Sequence, residues 1–158
     1  MRLTAPVVFL ALALVSCGGP PAIEAPKKLI NRTKPSDETR KFPKADLVDS
    51  KVVDQELMGK AFMPGGTIAN YKKAKKEYQL FLAKAGSPTE AAISLNDWRT
   101  ALSEAKLVAS FGGYFGNEAN SKPIFVFTRG PWIAGVAGLP QEEADLVART
   151  FAAMIPAQ

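Results

Sequence analysis

Apolar residues recur along the second half of the chain at spacings of three and four, which predict two helices. The first runs from Pro88 to about Ala105 and the second from about Gln141 to Ile155. Ser87 followed by Glu90 is typical of a helix N-terminus, where both side chains accept hydrogen bonds from free backbone N–H groups. The predicted buried positions are Ala91, Ala92, Leu95, Trp98 and Leu102 in the first helix, and Ala144, Val147, Ala148, Phe151 and Ile155 in the second.

Short apolar runs bounded by turn residues predict strands. We expect strands at 107–111, 123–128 and 132–137, and the last two form a hairpin through the tight turn Arg129-Gly130-Pro131. Residues 46–62 carry apolar pairs four and five positions apart, which predicts one face of a helix, although the valines there disfavour it.

The segment 67–84 fits two patterns. As a helix it would place five apolar side chains on one face: Ile68, Tyr71, Tyr78, Phe81 and Leu82. As a hairpin it would turn at residues 73–76, which lack the usual Gly or Asn. We favour the hairpin because residues 78–90 resemble 132–142: each has an aromatic residue, an apolar run that ends in alanine, and Pro-x-Glu.

These patterns together predict an α+β domain. An antiparallel sheet would carry both helices on one face. The internal similarity adds the hypothesis that the domain consists of two strand–strand–helix repeats.

The first 16 residues differ from the rest of the chain. Arg2 supplies a positive start, and residues 3–15 form an apolar run that is typical of a signal peptide and short for a membrane span. The run ends in Leu14-Val15-Ser16-Cys17, which resembles the lipobox of bacterial lipoproteins. This resemblance implies that residues 1–16 are a signal peptide, that the thiol of Cys17 receives a lipid, and that the new amino group is acylated.

Residues 17–44 predict a lipidated, flexible tether. Prolines punctuate this stretch, and its few large apolar residues cannot offset the conformational entropy lost on ordering: Ile23, Leu29, Ile30 and Phe42. Seven basic residues stand against three acidic ones here, so the tether holds nearly all of the excess charge. The lysines and arginines either keep the tether soluble or attract anionic lipid headgroups. The folded domain is predicted to span 45–158.

Composition limits the possible chemistry. The chain has no histidine and one cysteine, so Ser-His triads and the commonest metal ligand are absent, and lipidation would occupy the only thiol. The acidic residues fall in predicted helical turns or in the tether, where they favour surface roles. We therefore predict a protein that is not an enzyme, with no catalytic residue, no metal and no cofactor. The small net charge of +5 does not indicate nucleic acid as a partner.

Two features are candidates for binding. The segment 112–116 contains three glycines around Tyr114 and Phe115, which would point to opposite sides of an extended chain. These aromatics either contact a ligand or partner, or belong to the core at a bend between strands. Trp132 beside Arg129 is either a surface anchor, since both residue types recur at binding hot spots, or a packing residue of the hairpin.

The run Gly130-Pro131-Trp132-Ile133-Ala134-Gly135-Val136-Ala137-Gly138 loosely resembles uncharacterised bacterial envelope lipoproteins, and this resemblance implies no activity. We expect an envelope lipoprotein, held at the membrane by lipid on Cys17, whose domain binds a protein partner or packs in an assembly. The alternative is a module for a small ligand, with the glycine-rich segment as one wall of a pocket. Gly18, in place of an aspartate after the cysteine, favours the outer over the inner membrane.

Overall fold

Residues 34–158 are described by a computed structural model, and within them the chain forms seven strands and two α-helices. The strands are β1 Leu47–Gln55, β2 Pro64–Lys73, β3 Lys76–Lys84, β4 Ser103–Val108, β5 Gly113–Asn117, β6 Pro123–Arg129 and β7 Trp132–Ala137. The helices are α1 Pro88–Ala101 and α2 Gln141–Met154, and short 3-10 turns lie at Thr39–Lys41 and Leu57–Gly59. All seven strands join one antiparallel sheet in the spatial order β1-β2-β3-β7-β6-β5-β4.

The middle of the sheet is the pairing of β3 with β7. Strands β1 to β3 and β4 to β6 are two meanders of neighbouring strands, and β7 joins them because it pairs with β3 on one side and β6 on the other. Every residue of β7 is buried. This continuous burial follows from the position of β7, because a central strand that is covered on both faces has no side left for water.

The two helices cover opposite faces of the sheet. On β3, Leu80 and Leu82 belong to the cluster of α2, whereas Phe81 and Ala83 belong to the cluster of α1. Successive residues of a strand point to opposite sides, so the sheet is the middle layer of three. The predicted α+β class and antiparallel sheet are confirmed, but the prediction of both helices on one face is wrong. Helical periodicity identifies the buried side of a helix without indicating which face of a sheet receives it.

The segment 67–84 is a hairpin, as favoured from the sequence. Lys73 pairs with Lys76, and Ala74 adopts a φ of 54° at the turn in place of the expected Gly or Asn. Each helix follows a hairpin, as the repeat hypothesis requires: β2–β3–α1 and β6–β7–α2. The positions of the helices do not follow the repeat. If a two-fold axis perpendicular to the sheet related the two units, both helices would lie on the same face.

Residues 46–62, predicted as one face of a helix, form the edge strand β1 and the 3-10 turn Leu57–Gly59. Val48 is 63% exposed on this edge, so the adjacent apolar residues Leu47 and Val48 do not mark a buried helix face but lie on a strand with little burial. The β-branched valines favour the extended chain. The predicted strand at 107–111 lies earlier, at Ser103–Val108, because α1 already ends at Ala101, and residues 109–112 form the turn to β5.

The N-terminal segment 34–44 packs against the α2 face, so the folded part begins before residue 45. Phe42 is fully buried in the same cluster as Phe151. The hydroxyl of Tyr71 donates a hydrogen bond to the carbonyl of Pro43 over 2.7 Å. The predicted tether boundary at residue 44 is therefore too late, whereas Cys17 and residues 1–33 lie outside the described residues.

Candidate functional site

A cleft opens on the α2 face where β6 turns into β7. Its volume is about 340 Å³, at the lower end of the range found for small-molecule sites. The walls come from the turn between β4 and β5, the end of β6, and the C-terminal part of α2. The lining residues are Ser110, Phe111, Phe127, Thr128, Arg129, Arg149, Ala152 and Ala153. We call this site the arginine cleft.

The floor of the cleft is aromatic. Phe111 lies with its ring centroid 4.7 Å from that of Phe127, at an interplanar angle of 68°, which is the edge-to-face arrangement that aromatic quadrupoles favour. The turn that positions Phe111 closes through hydrogen bonds from the N–H groups of Phe111 and Gly112 to the carbonyl of Val108. Gly112 has a φ of 71°, so this turn depends on a residue without a side chain.

Arg149 is held at the cleft wall by three side chains. Its Nε donates to Asp145 over 2.8 Å, and one terminal nitrogen donates to Asp145 and to Ser110 over 3.3 Å each. Hydrogen bonding to Asp145 and the charge of that carboxylate raise the pKa of Arg149. The guanidinium carbon lies 5.5 Å from the ring centroid of Phe111, in cation–π range. Arg149 is therefore oriented, and its charge is partly balanced by Asp145.

Arg129 is the second guanidinium of the cleft, and it differs from Arg149 in its hydrogen bonding. Its side-chain Nε is buried and, among residues 34–158, has no acceptor. Arg129 pairs across the hairpin with Trp132, whose buried Nε1 likewise has no acceptor in the described chain. Most buried N–H groups in proteins are paired, so two unpaired ones at cross-strand positions are unusual.

Trp132 lies under two lysines rather than at the surface. The side chain is 3% exposed, and the ammonium groups of Lys41 and Lys84 lie 4.8 and 5.4 Å from its ring centroid. Lys84 pairs with Trp132 in the ladder between β3 and β7. Trp132 thus packs in the α2-face cluster beside the cleft and does not line it.

Tyr114 and Phe115 lie on β5 and point to opposite faces, as an extended chain requires. Tyr114 packs against the cluster of α1 and Phe115 against the cluster of α2, and both are partly buried. Neither residue lines the arginine cleft. Of the four candidate binding residues, Arg129 alone lines it and Trp132 is its neighbour.

The sequence analysis missed most of the cleft. Arg149 and Thr128 carried no signal, because a single basic or hydroxyl residue on an element is ordinary surface. Phe111 did carry one, since it directly precedes the glycine-rich segment that was singled out. The binding prediction named the aromatic residues inside that segment, Tyr114 and Phe115, and left out Phe111, which the turn at Gly112 places in the cleft.

The cleft contains no candidate metal site. Within residues 34–158, no three His, Cys, Asp or Glu side chains are grouped so that they could hold a metal ion. In the same part of the chain, no helix combines the length and the apolar character needed to cross a membrane.

No family model, curated protein or solved structure matches this chain.

Proposed function

We propose that this chain is a lipid-anchored protein of the bacterial cell envelope whose α+β domain binds a partner and catalyses no reaction. The observation that carries the binding role is the open cleft lined by Arg129, whose buried Nε has no acceptor among the described residues. The lipobox-like Leu14-Val15-Ser16-Cys17 supports the anchor. Within the envelope we favour the outer membrane, because Gly18 rather than an aspartate follows Cys17.

The length of chain before the folded part suits a tethered binder. Residues 18–33 separate Cys17 from the segment 34–44, which packs against the α2 face. A stretch of about 17 residues spans at most about 55–60 Å when fully extended. The domain can therefore contact a partner away from the lipid surface, while Lys27, Lys28 and Arg32 supply charge that attracts anionic headgroups.

The chemistry of the cleft supports binding over catalysis. Arg129 and Arg149 carry guanidinium groups, which are poor general acids or bases but strong hydrogen-bond donors to an anion. The chain offers no histidine to serve beside them. Ser110 faces Arg149, a cation that cannot accept its proton.

A protein partner is the first candidate occupant. Leu146 is 66% exposed on α2 and lies three residues before Arg149, on the same side of the helix. An exposed leucine beside an arginine and an aromatic ring is typical of a protein interface. A small ligand is the second candidate, favoured by the cleft volume of about 340 Å³.

The anchor is tested by the intact mass of the protein in the membrane fraction. We expect a mature chain that begins at Cys17 and carries acyl groups. The Cys17→Ala variant should lose both the acyl mass and the membrane association. An unmodified, freely soluble chain in both cases would overturn the proposed anchor.

The binding role is tested by photocrosslinking in intact cells. A photoreactive residue at the exposed position Ala153 would report on the cleft, and the same residue at Thr100, exposed on α1 and on the opposite face, is the control. We expect a discrete adduct from position 153 that disappears when Arg129→Gln is added, and no such adduct from position 100. Equal adducts from both positions would contradict a cleft-specific partner.

A further inference from the structure

We infer that the arginine cleft recognises a carboxylate carried on an apolar group of about the size of a phenyl ring. This inference rests on the proposed binding function and names the chemistry of its ligand. The carboxylate would accept hydrogen bonds at the guanidinium of Arg129, and the apolar group would lie on the aromatic floor.

The donors of the cleft match the oxygens of a carboxylate. The Nε of Arg129 is buried without an acceptor, and a guanidinium offers two parallel N–H groups to the two oxygens of a carboxylate. The hydroxyl of Ser110, which accepts a hydrogen bond from Arg149, lies at the same cleft and supplies a further donor. An anion bound there would gain charge-assisted hydrogen bonds from this guanidinium, which a neutral apolar ligand would not make.

The charge of the cleft favours one negative charge over two. Arg129 and Arg149 supply two positive charges, and Asp145 takes up one of them through its hydrogen bonds to Arg149. A carboxylate would therefore leave the site close to neutral. A phosphate dianion would leave an excess negative charge next to Asp145, which repels it.

The remaining lining requires an apolar body. Phe111 and Phe127 form an edge-to-face floor, and Ala152 and Ala153 of α2 form a wall without functional groups. An aromatic or branched apolar group can pack on this floor and cover the part of Phe111 that faces solvent, whereas Phe127 is already fully buried. A volume of about 340 Å³ is suited to such a group together with its carboxylate.

Two sources can supply this chemistry: a free organic acid, or the C-terminal residue of another chain that ends in an apolar side chain. Both present the same carboxylate beside the same apolar group. The difference between them is whether peptide bonds precede the apolar residue, and the experiment separates them on that basis.

The test uses the full-length protein, purified from membranes in a non-ionic detergent. Fluorine NMR follows the binding of para-fluorophenylpropionate, with its amide as the neutral analogue and detergent without protein as the background. The peptide arm uses acetyl-Gly-Gly-Phe with a free or an amidated C-terminus as a competitor of the fluorinated acid. The variants are Arg129→Gln and Arg129→Lys, and the control is Arg99→Gln, the same change on the exposed side of α1.

We expect the acid to bind and its amide to bind at least about tenfold more weakly, because a hydrogen bond to a charged group contributes more than one to a neutral group. Arg129→Gln should lower the affinity for the acid by about tenfold or more. Arg129→Lys should fall between Arg129→Gln and the unchanged protein, because it keeps the charge but loses the forked donor. Arg99→Gln should bind as the unchanged protein does.

The peptide arm identifies the source. Competition by the free peptide at lower concentration than the free acid indicates a C-terminal residue as the ligand, and the reverse indicates an organic acid. Equal binding of the acid and its amide, or equal binding in the Arg129→Gln and Arg99→Gln variants, would overturn the inference. A crosslink at position 153 that persists in the absence of any carboxylate binding would leave the proposed partner-binding function in place and remove only its assigned ligand.

Discussion

The ring centroids of Phe42 and Phe151 lie 4.9 Å apart, and this contact joins the N-terminal segment to α2. Phe42 is fully buried between this helix and the sheet. The contact makes the segment a part of the core, although the chain before residue 45 has the composition of a tether. Its strength can be measured by removing the ring.

Phe42→Ala should lower the free energy of unfolding by about 3–5 kcal/mol, because a fully buried phenyl ring leaves a cavity that the surroundings fill only partly. Urea denaturation measures this change. Lys44→Ala, two residues further along and exposed, is the matched control and should stay within about 0.5 kcal/mol of the unchanged protein. Equal stabilities of the two variants would mean that the segment is not part of the cooperative core.

Acid should weaken the docking of the same segment through Glu38. Burial disfavours the charged form of Glu38, but hydrogen bonds from Lys41 and Ser36 and the charge of Lys84 outweigh it and hold its pKa below the ordinary value. A lowered pKa in the folded state gives stability that is present above the ordinary carboxyl pKa and is lost as the pH falls through the folded-state value. The urea concentration at the unfolding midpoint should therefore decrease when the pH is lowered below about 4.

Glu38→Gln isolates this contribution. The variant should be less stable at neutral pH by less than about 1 kcal/mol, since the ion pair is partly exposed, and its midpoint should fall less steeply in acid. Glu77→Gln is the control, because Glu77 also pairs with a lysine, Lys72, but is 73% exposed. Identical acid profiles in the unchanged protein and in Glu38→Gln would rule out this role for Glu38.

Position 135 on β7 must be glycine because the ring of Phe81 occupies the space that a Cβ would need. A Cβ at position 135 would lie 2.3 Å from the Cζ of Phe81 and 2.6 Å from the carbonyl oxygen of Phe125. Gly135→Ala should therefore destabilise the fold by about 1–3 kcal/mol, the range for overpacking in a core. Denaturation of the Gly135→Ala, Phe81→Leu double variant should give a loss smaller than the sum of the two single losses, because the shorter side chain makes room for the methyl group. Additive losses would show that the ring is not the obstacle.

The hydroxyl of Ser87 should matter for α1. It accepts a hydrogen bond from the N–H of Glu90 over 3.1 Å, and the carboxylate of Glu90 accepts one from the N–H of Gly86 over 2.9 Å. Ser87→Ala should lower stability by about 1 kcal/mol. Thr89→Ala, exposed in the first turn of the same helix, is the control for general effects of a lost hydroxyl. Thermal unfolding should give this variant nearly the same midpoint temperature as the unchanged protein. A Thr89→Ala loss as large as that of Ser87→Ala would argue against the cap.

The features that the sequence predicted well are set by residues close together in the chain. The turn at Gly130-Pro131 and the apolar runs beside it indicated the β6–β7 hairpin, and Ser87 with Glu90 indicated the start of α1. The hairpin over 67–84 required more, because its turn at Ala74 lacks a typical turn residue. Comparison with the second hairpin of the same chain decided it.

The features that were missed depend on residues far apart in the chain. Burial of Phe42 requires Phe151, more than a hundred positions later, and no local pattern reports such a partner. The faces chosen by the helices depend on the path of the whole sheet. The arginine cleft needs Arg129 and Arg149 from different elements, and each is unremarkable alone. The proposed acylation site at Cys17 is a local motif, but it lies outside the described residues.

The central place of β7 determines the order in which this protein can be completed. Synthesis delivers β1 to β3 and β4 to β6 first, and the strand that joins them comes near the C-terminus. Until residues 132–137 have emerged, β3 and β6 are open edges, free to pair with other chains. Completion of the sheet therefore awaits β7, and products truncated before this strand should be prone to aggregate.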